Sequence, residues 1–214
     1  ALGGTWRDNH YPGAECDVPS ALYSFSFETK TDWNYQWSEQ PQILEYIGNT
    51  ARKHGVVEHI RFGSELRAAD YDAATGTWLL TLGNGSVLSA QFLVSAVGQL
   101  HLPQVPQIPG SELFPGPRFH SANWDHTVDL RGKTVAVIGN AASAGQFVPV
   151  VAEQAGQLLV FQRSANWVSQ KRDRRYTERE KKLLRLFPFA KRLARLRIYL
   201  RNELLVYPAF KGSR

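Results

Sequence analysis

Thr134-Val-Ala-Val-Ile-Gly-Asn-Ala-Ala-Ser-Ala-Gly145 is the stretch that decides the fold. Its first five residues are apolar or β-branched, as a buried parallel strand requires. Gly139 permits a tight turn, and Ala142 opens an apolar helical run to Ala155. A second apolar run, Gln157–Gln162, completes a β-α-β unit. Such a turn lets backbone approach a pyrophosphate and aims a helix N-terminus at its charge. Ala141 stands where a second glycine is usual, and its methyl would crowd the pyrophosphate. Ser143 is small enough for helix packing and offers a hydroxyl. The second strand ends in Phe161-Gln-Arg-Ser164, where a selector of NAD would place an acid for the ribose hydroxyls. Arg163 is there instead, with Ser164 beside it, and a planar guanidinium suits a 2′-phosphate. Taken alone, the turn is equally an ordinary strand-to-helix connection and Arg163 a surface cation.

Upstream lies Phe114-Pro-Gly-Pro-Arg-Phe-His-Ser-Ala-Asn-Trp-Asp125, with Phe114, Gly116, His120, Trp124 and Asp125 as its distinctive positions. Prolines 103, 106, 109, 115 and 117 exclude a helix before it, so residues 103–130 read as a stiff link. His120 is a candidate general acid or base, although a structural hydrogen bond is the commoner role of such a residue. Residues 1–102 precede the link. Residues 1–37 are loop-rich; Glu39–His54 keeps helical spacing, with Ser38 as expected N-cap, Pro41 in the first turn and Gly55 as stop. The β-like runs Val56–Phe62, Leu66–Tyr71 and Thr77–Leu82 follow, and Asn84-Gly85 turns the chain back through Ser86–Ala96. The expected result is a small β-meander ending in the apolar strand Phe92–Ala96.

The chain of 214 residues is long enough for a real core, and its composition is globular. Cys16 is the sole cysteine, so no intrachain disulfide forms and a cytoplasmic location is expected. No apolar run nears the ~18 residues that span a bilayer. Residues 1–160 carry a net charge of −6 and residues 161–214 a net charge of +12. The basic part, helical from Thr177 to about Tyr207 with a break near Pro188, carries Leu183, Leu184, Phe187, Leu193, Leu196, Leu200 and Leu204 among its cations. This suits a helical cap on the β-α-β unit, or a helix lying on an anionic membrane. No nucleic-acid-reading motif accompanies the charge, and no metal site is expected.

The Phe114–Asp125 run followed by the β-α-β unit resembles the signature of the Baeyer–Villiger monooxygenases, flavoenzymes that use NADPH and dioxygen to insert oxygen beside a ketone carbonyl. Gly3-Gly-Thr-Trp6 and Tyr11-Pro-Gly-Ala-Glu-Cys-Asp17 are similar to the same family. The resemblance covers residues 3–167 and implies an α/β fold with two dinucleotide-binding domains of Rossmann type, for FAD and for NADPH. It implies that Thr5, Trp6 and Tyr23 lie at FAD and that Leu66 meets the adenine through its backbone. Gly98 would approach a cofactor and Gln99 face the nicotinamide side. Asp17 would sit by the flavin, holding the arginine that steadies the oxygenated cofactor. His120 and Trp124 would couple domain motion to the cofactors. The substrate implied is a small ketone, or a thioether, since many relatives oxidise sulfides too. A nitrogen- or sulfur-oxidising flavin monooxygenase is the nearest rival.

Methionine is absent, and the chain starts at Ala1 without a preceding strand. The resemblance places the first glycine-rich turn before Ala1 and the arginine beyond Arg214. The expectation is therefore an internal piece, incomplete in both domains and inactive alone. Residues 131–214 would hold part of the NADP domain and the basic helices. Oligomeric state is open.

Overall fold

The computed structural model describes residues 1–168, 171 and 173–208. A helical turn, α1 (Thr5–Asp8), opens the chain, and a long loop leads to α2 (Gln40–Lys53). Ile43, Ile47 and Ala51 lie four residues apart and, with Tyr46 beside Ile47, form one apolar stripe along α2. Ile43 and Tyr46 pack with Cys16 and Trp33 into one core, flanked by Trp6, Val18, Ile47 and Tyr176. Gly55 ends the helix as expected: its φ is +64°, and the Val56 N–H donates to the Ala51 carbonyl at 2.9 Å. The N-cap, however, is Glu39, without a side-chain cap. Ser38 is spent elsewhere, its buried hydroxyl 2.6 Å from that of Ser20 and its carbonyl accepting from the Cys16 N–H.

The meander is antiparallel: β1 (Leu66–Asp72), β2 (Thr77–Leu82) and β3 (Val87–Ala90), in that order across the sheet. Gly85, at φ +82°, makes the expected turn, and the Asn84 carboxamide oxygen accepts from the Ser86 N–H. Two strand expectations fail. Val57–His59 is a 3-10 turn, entered by Val56 in helical backbone geometry after Gly55 has ended α2, and no strand among the described residues pairs with it. Phe92–Ala96 pairs with no strand among the described residues, and Phe92 and Val94 are each 84% exposed.

After the link, β4 (Thr134–Ile138), α3 (Ala142–Ala152) and β5 (Gln157–Phe161) form the β-α-β unit, with β4 and β5 parallel and Val137 opposite Val160. At Gly156 the chain enters β5 so close to Gly132 that a Cβ would lie 2.7 Å from the Gly132 carbonyl oxygen. Val137, Ala144, Phe147 and Val151 form a second core with Tyr11 and Ala14 from the N-terminal loop. An aromatic file runs through it. Phe119 packs edge-on to Trp124 at 5.2 Å, Trp124 meets Phe147 at 5.2 Å, and Phe147 meets Tyr11 at 5.9 Å.

The basic segment forms α4 (Glu178–Leu186), α5 (Pro188–Arg201) and a π-helical turn, Asn202–Val206. Its described hydrogen bonds dock it on residues 21–36. Arg195 donates to the Ala21 and Ser24 carbonyls, Arg175 to the Tyr35 hydroxyl, and the Tyr176 N–H to the Asn34 carbonyl. Loop carbonyls without helix or sheet partners attract these cations. Among the described residues no helix is long and apolar enough to cross a membrane, and no group of three or more His, Cys, Asp or Glu side chains is placed to hold a metal.

Two outcomes follow from this packing. Phe147→Ala, which empties the centre of the aromatic file, should cost ~3–5 kcal/mol of unfolding free energy in urea titrations. At α4, Thr177 and Glu180 form a reciprocal cap. Hydrogen bonds from Arg174 and from the Thr177 N–H lower the Glu180 carboxyl to about 2. A depressed folded-state value stabilises above the ordinary carboxylate range and is lost as pH falls through the folded value. Helical signal from α4 should therefore hold down to about pH 4 and fade towards pH 2, while Thr177→Ala should cost ~1 kcal/mol at neutral pH.

Candidate functional site

The turn after β4 is built by Gly139 and Asn140. Gly139 has φ +106°, and its N–H donates to the Phe161 carbonyl at 2.8 Å. Nothing lies within 4 Å of a Cβ at this position, so it is backbone conformation rather than crowding that calls for glycine. Ala141, the N-cap of α3, has φ −72° and ψ −175°, ordinary extended geometry that needs no glycine, and makes no side-chain cap bond. The first-turn amides at Ala142, Ser143 and Ala144 thus have no intrahelical acceptor, which suits an anionic group. The Asn140 carboxamide donates to the Gln162 side chain at 2.6 Å and to the Ser164 carbonyl at 3.0 Å. Asn166 returns a bond to the Asn140 carbonyl at 2.6 Å. These bonds fasten the turn to the end of β5, so Gly139, Arg163 and Ser164 share the C-terminal edge of the two parallel strands, the usual ligand position in such sheets. Arg163 is exposed and has no partner among the described residues.

The second half of the site is the Tyr11–Asp17 loop, which α3 holds through Gln146. The Gln146 carboxamide oxygen accepts from the Tyr11 hydroxyl at 3.0 Å and the Glu15 N–H at 3.2 Å. Its NH2 donates to the Glu15 carbonyl at 3.0 Å and an Asp17 carboxylate oxygen at 3.3 Å. Gly13, at φ +78°, lets the loop approach: a Cβ there would sit 2.8 Å from the Gln146 carbonyl oxygen. Burial pushes the Tyr11 phenol above its ordinary range, with a smaller opposing pull from Ser143, so it remains a donor. Lys171 reaches the loop from after β5: its Nζ lies 2.7 Å from Glu15, 2.9 Å from the Cys16 carbonyl and 3.8 Å from Asp17. Asp17 keeps a side chain that is 69% exposed. Cys16 is buried in the α2 core, and burial raises its thiol.

Trp6 and Tyr23 are also brought together. The indole N–H donates to the Tyr23 hydroxyl at 2.9 Å, with the rings edge-on at 5.7 Å. Gln40 at the start of α2 donates to the Trp6 carbonyl, and Thr5 accepts from Asn9 at 3.0 Å. In the link, His120 caps a short 3-10 turn, Nδ1 accepting from the Ala122 N–H at 3.1 Å. Asp125 accepts from the Thr127 hydroxyl at 2.6 Å and N–H at 2.9 Å, which lowers its carboxyl. A Cβ on Gly116 would strike the Phe114 ring. Leu66 and Gln99 stay exposed, and no described contact joins them to the other candidates.

Gln146, Asn140 and Lys171 escaped the sequence reading. A polar residue beside Ala144, Phe147 and Val151 on an apolar helix was a usable sign for Gln146. So was an amide directly after the turn glycine for Asn140. Nothing local marks Lys171.

The family model described as flavin-binding monooxygenase-like matches residues 20–187. A Baeyer-Villiger monooxygenase of Streptomyces coelicolor is 44% identical over 195 residues, 91% of this chain and 37% of that protein. An oxidized steroid monooxygenase bound to NADP superposes with a TM-score of 0.80 at 37% identity, over 87% of this chain and 36% of its own. OTEMO in complex with FAD and NADP gives 0.79 at 34% identity, over 87% of this chain and 37% of its own. The chain thus spans 37% of the first relative's length, and over that span its architecture is the α/β fold of flavoproteins with two dinucleotide-binding domains. A family match over residues 20–187, which include the nucleotide turn, places the chain in the flavin-binding monooxygenase-like family.

Proposed function

We propose that the protein is an FAD- and NADPH-dependent Baeyer–Villiger monooxygenase, which inserts one oxygen of O2 beside a ketone carbonyl to give an ester or lactone. The observation that carries this reading is the junction at Gln146, where the helix after the nucleotide turn grips the loop bearing Asp17. In this reading residues 1–102 belong to the FAD side, 103–130 to the link and 131–214 to the NADP side with its appended basic helices.

FAD, reduced by NADPH, supplies the electrons that activate dioxygen. The chain's residues bind, orient and exclude water. Thr5, Trp6, Tyr23 and Leu66 line the flavin nucleotide, and Gln99 the nicotinamide side. Gly139 and the amides after Ala141 receive a pyrophosphate, with Ser143 offering a hydroxyl. Arg163 and Ser164 grip the 2′-phosphate. Asp17 presents a carboxylate to a cationic partner at the reacting face. Trp124 fixes the link against α3, and His120 holds the turn before it, with Nε2 left for proton exchange.

The same cofactors serve nitrogen and sulfur oxidation, so the product separates the two chemistries. The holoenzyme with NADPH and O2 should turn a cyclic ketone into its lactone; sulfoxide or N-oxide formation with no lactone overturns the ketone assignment. Arg163→Ala should weaken NADPH about 10–100-fold, the worth of a charged hydrogen bond, and leave NADH unchanged; equal losses for both refute the role of Arg163. The grip of Arg195 on residues 21–24 supports packing rather than lipid binding by the basic helices. Salt-sensitive pelleting with anionic vesicles would reverse that.

A further inference from the structure

Gln146 is not at the nucleotide turn. It lies on the second turn of α3, and its carboxamide is used up on the opposite loop. The oxygen and the NH2 group bond the N–H and carbonyl of Glu15, as a neighbouring strand would, and the same NH2 reaches Asp17. Towards α2 the loop is held through backbone, Cys16 N–H to Ser38 carbonyl at 2.9 Å and Gln40 N–H to Ala14 carbonyl at 2.8 Å, while the Lys171 ammonium holds Glu15 and the Cys16 carbonyl. The segment is thus gripped between α2 and α3, with Lys171 beside it, and the hydrogen bond to the Asp17 carboxylate comes from α3, the Lys171 Nζ standing off at 3.8 Å. A rigid helix transmits displacement of its first turn to its second. Whatever occupies the amides of Ala142–Ala144 therefore bears on the direction of Asp17.

We infer that Gln146 is a positioning residue that relays occupancy of the nucleotide turn to Asp17, so that the loop is ordered for oxygen transfer only while the nicotinamide nucleotide is bound. This rests on the function proposed above. When positioning fails, the reducing equivalents leave by the unproductive route: NADPH, a proton and O2 give NADP+ and hydrogen peroxide, and the ketone is untouched.

Two variants probe this. Gln146→Leu removes donor and acceptor. Gln146→Glu keeps the acceptor for Tyr11 and Glu15 but turns a carboxylate on Asp17 and the Glu15 carbonyl. The titratable groups facing that position are Tyr11, Glu15 and Asp17, with Lys171 close behind.

The first measurement is amide hydrogen exchange of residues 14–18 with and without NADP+. In the wild type NADP+ should slow exchange several-fold; in Gln146→Leu the nucleotide should bind with affinity changed less than about threefold yet give no slowing. Equal slowing in both proteins overturns the relay. The second is the peroxide fraction of NADPH consumed. It should rise at least fivefold in both variants at neutral pH with KM for NADPH little changed. In Gln146→Glu alone it should recover as pH falls and the new carboxyl regains a proton to donate. An unchanged peroxide fraction, or a rise in Gln146→Glu without recovery at low pH, also overturns it. If the wild-type holoenzyme oxidises no NADPH, the function proposed above fails, and the exchange measurement still decides the relay.

Discussion

The pairing of the Gln146 carboxamide with the backbone of Glu15 is the contact on which the arrangement of the chain turns. The N-terminal loop and the β-α-β unit are some 130 residues apart in sequence. Apolar burial brings them together, since Tyr11 and Ala14 share a core with Phe147 and Val151. Apolar contact is non-directional, however, and leaves a loop free to slide. Hydrogen bonds that satisfy a half-buried N–H and carbonyl, as at Glu15, are directional and costly to lose. They fix which residue of the loop faces α3.

The loop also divides the two cores. Ala14 points into the cluster around Phe147, and Cys16 into the cluster around Ile43. Glu15, between them, turns its carboxylate to Lys171. Three successive residues therefore face three surroundings, and Asp17 leaves the segment with a direction already set. The carboxylate of Asp17 is largely exposed; the residues that lead to it are bonded to both α2 and α3. That distinction makes the loop a scaffold for chemistry rather than a passive connector.

What was legible in the sequence followed from local chemistry. Strand–glycine–helix patterning gave β4, α3 and β5; Asn84-Gly85 gave the hairpin; the spacing of Ile43, Leu44, Ile47 and Ala51 gave α2. The nucleotide turn was legible for the same reason, because Gly139 and Arg163 sit at fixed offsets along one β-α-β unit. Errors arose where distant partners decide. Ser38 has the chemistry of an N-cap, but Ser20 and Cys16 claim it. Val56–Phe62 has strand composition but no strand beside it among the described residues. The basic helices have an apolar stripe fit for several surfaces, and contacts of the basic segment with residues 21–36 choose among them. Gln146 was missed because its partners stand at positions 11, 15 and 17, and nothing along α3 announces them.

The division of labour among Ala14, Glu15 and Cys16 has an evolutionary corollary. Glu15 is bonded to Gln146 through backbone atoms, which every amino acid except proline supplies in full. Its identity can drift at little cost beyond one ion pair. Adding or deleting a single residue between Gly13 and Asp17 is different: it would send each neighbour's side chain into the wrong compartment and turn the carboxylate away. Spacing, rather than spelling, is the heritable information in that segment.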